Sequence, residues 1–146
     1  EEIEEKMEVA KNYLMSKKKG SRTERELINM FWDTKEWAVV RSAGSGLSSN
    51  PNPDLIASNG KRYVAVECKS IKEGNKYLTE DDVQQITEFS KLFSAEAYIG
   101  IRFNNEGWYF LTPEDLNKTP NGYSITLELA KEKGINFEKL IKKEKM

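Results

Sequence analysis

Histidine is absent from this 146-residue chain, and cysteine occurs once, as Cys68. Without histidine there is no Ser–His triad, no histidine general base and no histidine-ligated metal. A lone cysteine excludes an intramolecular disulfide framework and any multi-cysteine zinc site. No stretch approaches the roughly 20 apolar residues that a membrane helix needs, and no apolar signal-peptide core opens the chain. With no export signal and no cysteine pairing, a cytoplasmic, chromosome-associated protein with no membrane partner is expected. The chain opens on Glu1, so its natural start is expected further upstream.

Catalysis here must therefore use carboxylates, lysine, arginine, serine or a hard metal ion. Fifteen aromatics (3 Trp, 6 Tyr, 6 Phe) are too many for a disordered chain, and the length suits one compact domain. Net charge is −1, but it is unevenly spread. Residues 1–8 carry −4 and the remainder +3, with Lys17, Lys18, Lys19, Arg22 and Arg25 clustered around Glu24. Such a cluster is a candidate phosphate-binding surface or simply a solvated basic stretch.

Residues 1–16 read as an acidic segment, either a short helix with Ile3, Met7, Ala10 and Leu14 in register or a loosely docked arm; residues 17–146 read as a single domain. Ser21 is placed to cap a helix, with Glu24 as its capping-box partner and Leu27, Ile28, Met30 and Phe31 buried. Strands are predicted at 37–41, 54–58, 62–70, 97–103, 108–111 and 123–126. Thr79 caps a helix whose apolar stripe is Val83, Ile86, Phe89, Leu92 and Phe93. The fold class that follows is α/β, a mixed central sheet flanked by helices.

Asn59-Gly60 between two strands is a hairpin signal. Side chains alternate along 62–70, so Glu67 and Lys69 share a face with Ala65, while Val64, Val66 and Cys68 form the core face. A two-residue turn sets Ser58 opposite Lys61 and Asp54 opposite Ala65, diagonal to Glu67; a four-residue loop keeps the parity. Asp54, Glu67 and Lys69 are thus expected together. Two carboxylates and an ammonium suit Mg2+, which favours oxygen ligands and retains waters. The same residues could be no more than a surface salt bridge and a turn cap.

Pro53-Asp54 with Glu67-Cys68-Lys69 resembles the PD-(D/E)xK nuclease signature. The wider chain, about residues 17–115, is similar to the archaeal Holliday junction resolvases. That similarity is carried by KGSRTERE (19–26), AVVRSAGSG (38–46), Tyr77, ITEF (86–89) and GWYF (107–110). The resemblance implies a restriction endonuclease-like fold and a homodimer that cuts four-way DNA junctions with Mg2+, or Mn2+ in its place. It implies catalytic roles for Glu24, Ser45, Asp54, Glu67 and Lys69, with metal held by Glu24, Asp54, Glu67 and the Cys68 carbonyl. Arg25 and Arg41 become DNA-binding or catalytic residues. Lys17, Lys18, Lys19, Arg22, Lys72 and Lys76 are candidates for the surrounding DNA groove, and Phe89 and Phe93 for the dimer interface. A nuclease acting on another DNA structure, or a DNA-binding module that has lost catalysis, would share the signature.

Overall fold

The structure is a computed structural model that describes residues 1–42 and 50–144, with only the backbone described over 12–21. Helix α1 spans Glu2–Asp33. It runs through Ser21 without interruption, so Ser21 is not a helix cap and Glu24 does not serve a capping box. Gly20 is the sole strong breaker within α1, and an interior glycine costs only about 1 kcal/mol, which neighbouring helix formers offset. Among the described residues no helix is long and apolar enough to cross a membrane.

Five strands form the main sheet in the order β1 (Ala38–Arg41), β2 (Leu55–Ser58), β3 (Tyr63–Ile71), β5 (Glu96–Phe103) and β6 (Gly107–Leu111). All neighbours are antiparallel except β3 and β5, which run parallel. The crossover between those two contains β4 (Lys76–Thr79) and helix α2 (Glu80–Phe93). A smaller antiparallel sheet joins β4 to β8 (Gly122–Ile125) and β7 (Asn117–Thr119), and helices α3 (Leu127–Lys133) and α4 (Phe137–Lys142) follow. Strands β4 and β7 were not expected from sequence; at four and three residues they are too short to show a period.

Both faces of the main sheet are covered. On one, Leu27 and Phe31 of α1 pack with Val64, Val66, Tyr98, Phe110 and Leu140. On the other, Val83 and Ile86 of α2 pack with Ala65, Ile99, Ile101 and Leu111. Ala65 is therefore as buried as Val64 and Val66, and β3 has two core faces rather than one. This is the usual lot of a central strand with a parallel neighbour. Phe110 lies so close over Gly100 that a β-carbon there would stand 3.0 Å from its ring and 2.9 Å from Val66.

The β2–β3 hairpin differs from the expected two-residue turn. Ser58 pairs with Tyr63, which leaves residues 59–62 as a four-residue loop. The Asn59 side chain accepts hydrogen bonds from the amides of Lys61 (3.0 Å) and Arg62 (2.8 Å), and Gly60 adopts φ +90°. Arg62 is drawn out of the strand by its own ties. Its side chain is 2% exposed, and its guanidinium pairs with Glu96 through both Nε and Nη2 and donates to the carbonyls of Leu140 and Lys143. Parity survives, but the register moves by two, so Asp54 falls level with Glu67 rather than Ala65.

Candidate active site

Strand β3 begins in the core and emerges from it halfway. Val64, Ala65 and Val66 are fully buried, whereas residues 67–70 are only partly covered. Ionisable groups thus enter where the packed layers end. Asp54, just before β2, is held across the hairpin by the Cys68 amide, which donates to its Oδ2 at 2.8 Å. Glu67 lies beside it on the face that looks toward α2.

The Asp54 carboxyl stands close enough to disfavour the ionised form of Glu67. Burial first, then the hydrogen bond to Asp54 and its charge, push the Glu67 carboxyl up to about 9. Lys69 pulls the other way, and Asp82 of α2 adds to the rise. Glu67 Oε1 is buried and has no hydrogen-bond partner. A buried acceptor without a donor, beside a second acid, is a position that a cation would satisfy.

Glu24 reaches the same place from α1. Its Oε2 accepts from Arg41 Nε at 2.7 Å, an ion pair that links α1 to β1. Burial and then Asp54 raise the Glu24 carboxyl, while Arg41 and Lys69 oppose them. Glu24, Arg41, Asp54, Glu67 and Lys69 therefore form one electrostatic cluster assembled from α1, β1 and the β2–β3 hairpin. The Cys68 thiol is pushed well above its ordinary range, by burial and then by Asp54, Glu24 and Glu67. It remains a thiol at neutral pH and is a poor nucleophile.

Among the described residues no three Asp, Glu or Cys side chains converge closely enough to hold a metal ion together. A hard cation such as Mg2+ commonly takes one or two carboxylates and fills its other positions with water and phosphate, so the Asp54–Glu67 pair could hold one. The donor set is all oxygen, as a hard cation requires.

Of the other expected residues, Arg22 and Arg25 are exposed on α1 near Glu24, and Lys72 is exposed beyond the end of β3. Lys76 is half-buried on β4. Ser45 and the side chains of Lys17, Lys18 and Lys19 lie outside the described residues. On α2, Val83 and Ile86 are buried in the core, whereas Phe93 stays 48% exposed. Phe89 packs partly on the core and stacks on Phe93 at 5.0 Å, and Tyr63 meets Phe93 edge-on at 5.9 Å. Asp82 was read from sequence only as a first-turn acid; its proximity to Glu67 carries no local signal.

A model of the family described as archaeal Holliday junction resolvase (Hjc) matches residues 15–146. The chain belongs to that family. The crossover junction endodeoxyribonuclease Hjc of Archaeoglobus fulgidus is 39% identical over 109 residues, covering 75% of this chain and 79% of its relative. Its namesake in Methanocaldococcus jannaschii is 33% identical over 124 residues, 85% and 87% of the two chains. The solved structure of Archaeoglobus fulgidus Hjc, a Holliday junction resolvase, superimposes with a TM-score of 0.77 at 34% identity, covering 83% of this chain and 98% of that one. The mixed sheet flanked by helices is thus the restriction endonuclease-like fold of the Hjc resolvases. Residues 1–14 lie outside the match to the Hjc family.

Proposed function

We propose that this chain is a Mg2+-dependent endonuclease that resolves four-way DNA junctions by phosphodiester hydrolysis, as a homodimer working beside the chromosome in the cytoplasm. The observation that carries this reading is the half-buried Asp54–Glu67 pair, with an unpartnered acceptor, beside Lys69 and within the field of Glu24.

Asp54, Glu67 and the Cys68 carbonyl would hold the metal, with Glu24 as a further acid, and Mn2+ could substitute. Bound there, such an ion polarises the phosphodiester and lowers the pKa of a coordinated water, which supplies a nucleophile that needs no histidine. Lys69 orients the attacking water and offsets charge gathering on the phosphorus. Arg41, held in place by Glu24, binds a backbone phosphate, and Arg25 and Arg22 extend that cationic edge along α1. Lys17, Lys18, Lys19, Lys72 and Lys76 line the remaining groove, and Ser45 joins the catalytic group from its loop. No base-reading element is present among the described residues, so selectivity rests on junction shape and backbone contacts.

A junction is cut on two strands related by a two-fold axis, and one domain of this size carries one site. A two-fold dimer answers that need. Leu92 at 81% exposure and Phe93 at 48%, beside Phe89 and Tyr63, form an apolar patch suited to such an interface.

The test compares a four-way junction, a linear duplex and a single strand, each with Mg2+ and with EDTA. Paired symmetric nicks on the junction, dependent on the metal, are expected. Equal cutting of plain duplex overturns junction specificity, and tight junction binding without cutting at any metal concentration overturns the catalytic assignment.

A further inference from the structure

Tyr77 stands out on the smaller sheet as a large aromatic that packing does not cover. It is 67% exposed on β4, while Leu78 next to it turns inward and is 3% exposed. Among the described residues its ring makes no stack, cation contact or side-chain hydrogen bond. The smaller sheet sets Tyr77 level with Ser124 of β8, and Ser124 level with Asn117 of β7. Strand alternation directs all three to the outer face of that sheet. Asn117 is exposed and Ser124 half-buried, so an aromatic ring there adjoins an amide and a hydroxyl.

This face adjoins the candidate active site. Thr79, two residues along β4 and roughly 7 Å from Tyr77 at about 3.4 Å per residue, exchanges hydrogen bonds with Asp82. Asp82 in turn lies close enough to Glu67 to raise its carboxyl. The start of α2 is acidic, with Glu80 tied to Lys118 and Asp81 to Gln85. Phosphate is disfavoured beside such a surface, whereas an uncharged base is not. Exposed Lys72, on the turn that leads into β4, provides the cation that keeps the strand's backbone to that side.

We infer that Tyr77, with Ser124 and Asn117 beside it, is a stacking platform for a base exposed at the branch point of the DNA substrate. The inference rests on the junction-nuclease reading above. Aromatic side chains hold splayed bases by their faces whatever the sequence, which matches a protein that selects structure. Tyr77 is a positioning residue: it seats the branch point so that a scissile phosphate falls at Asp54, Glu67 and Lys69.

The test uses the full-length chain and a four-way junction with 2-aminopurine placed at the branch point. Wild-type protein should change its fluorescence on binding. Tyr77→Ala should lose that change and slow single-turnover junction cutting about ten-fold or more, the loss expected for one base–aromatic stack. Tyr77→Phe should retain both within about two-fold, since the ring and not the hydroxyl makes the contact. Melting temperature and linear-duplex affinity should stay unchanged, because the side chain is exposed and unpartnered. Wild-type fluorescence and cutting by Tyr77→Ala, or equal failure of Tyr77→Phe, overturns the platform. Wild-type protein that binds the junction but never cuts it overturns the nuclease reading instead, and the fluorescence comparison still judges Tyr77.

Discussion

Replacing Glu67 by glutamine should make the metal-free protein more stable while abolishing junction cutting. The Glu67 carboxyl is raised from its ordinary 4.5 to about 9 by burial and by Asp54. Below pH 4.5 both folded and unfolded chains hold its proton, and folding carries no penalty. Between 4.5 and 9 the unfolded chain releases the proton and the folded chain keeps it, so stability falls as pH rises; above 9 the loss levels off. At pH 7, about 2.5 pH units into that window at about 1.36 kcal/mol each, the loss is roughly 3 kcal/mol. Glutamine mimics the neutral acid and removes it. For a domain of this size that corresponds to a melting-temperature gain of roughly 6–12 °C at pH 7. Thermal unfolding of wild type and Glu67→Gln in EDTA at pH 5, 7 and 9 measures the gap, which should be small at pH 5 and widen upward. A pH-independent gap, or a variant less stable than wild type at pH 7, refutes the reasoning. Mg2+, by displacing the trapped proton, should raise the melting temperature of wild type more than that of the variant.

Further predictions concern the frame around the site. Arg62→Ala should destabilise the fold by about 3 kcal/mol, the lower end for breaking a buried pair because Glu96 can rehydrate; urea unfolding measures this, and a change under about 1 kcal/mol refutes the anchoring role. Gly100→Ala should destabilise by about 1–3 kcal/mol through overpacking against Phe110 and Val66, visible in the same titration. Arg41→Ala should weaken junction binding and lower the slope of log affinity against log salt by about one, as loss of one phosphate contact requires. An unchanged slope would place Arg41 in a purely structural pair with Glu24.

Much of the frame was legible before folding because it is encoded locally. Thr79 caps α2 as expected, its Oγ1 accepting from the Asp82 amide at 3.0 Å, and the Asp82 side chain completes a capping box that was not foreseen. The Val83 and Ile86 stripe faces inward as its spacing implies. Ser21 misled, because a capping motif in a long run of helix formers does not compel a helix to start. The hairpin misled in register though not in parity, because Asn59 turns its side chain on its own loop and Arg62 is recruited by Glu96 and the C-terminal carbonyls. The Asn59 bonds are local, two and three residues along, but the Arg62 partners lie 34 to 81 residues away and leave no mark in the surrounding sequence.

What sequence alone determined is the chemistry available and the face on which it stands. With no histidine and one cysteine, only acids and bases of the Asp, Glu, Lys and Arg kind remain, and the two-residue period of a strand puts Glu67 and Lys69 on one side. Tertiary structure decided how those groups behave. It set Asp54 level with Glu67, brought together Glu24 and Arg41, which are 17 residues apart in the chain, and raised a carboxyl far above its ordinary range. The reason is physical: alternation and propensity are properties of neighbouring residues, whereas desolvation and charge coupling exist only after distant segments have closed around them.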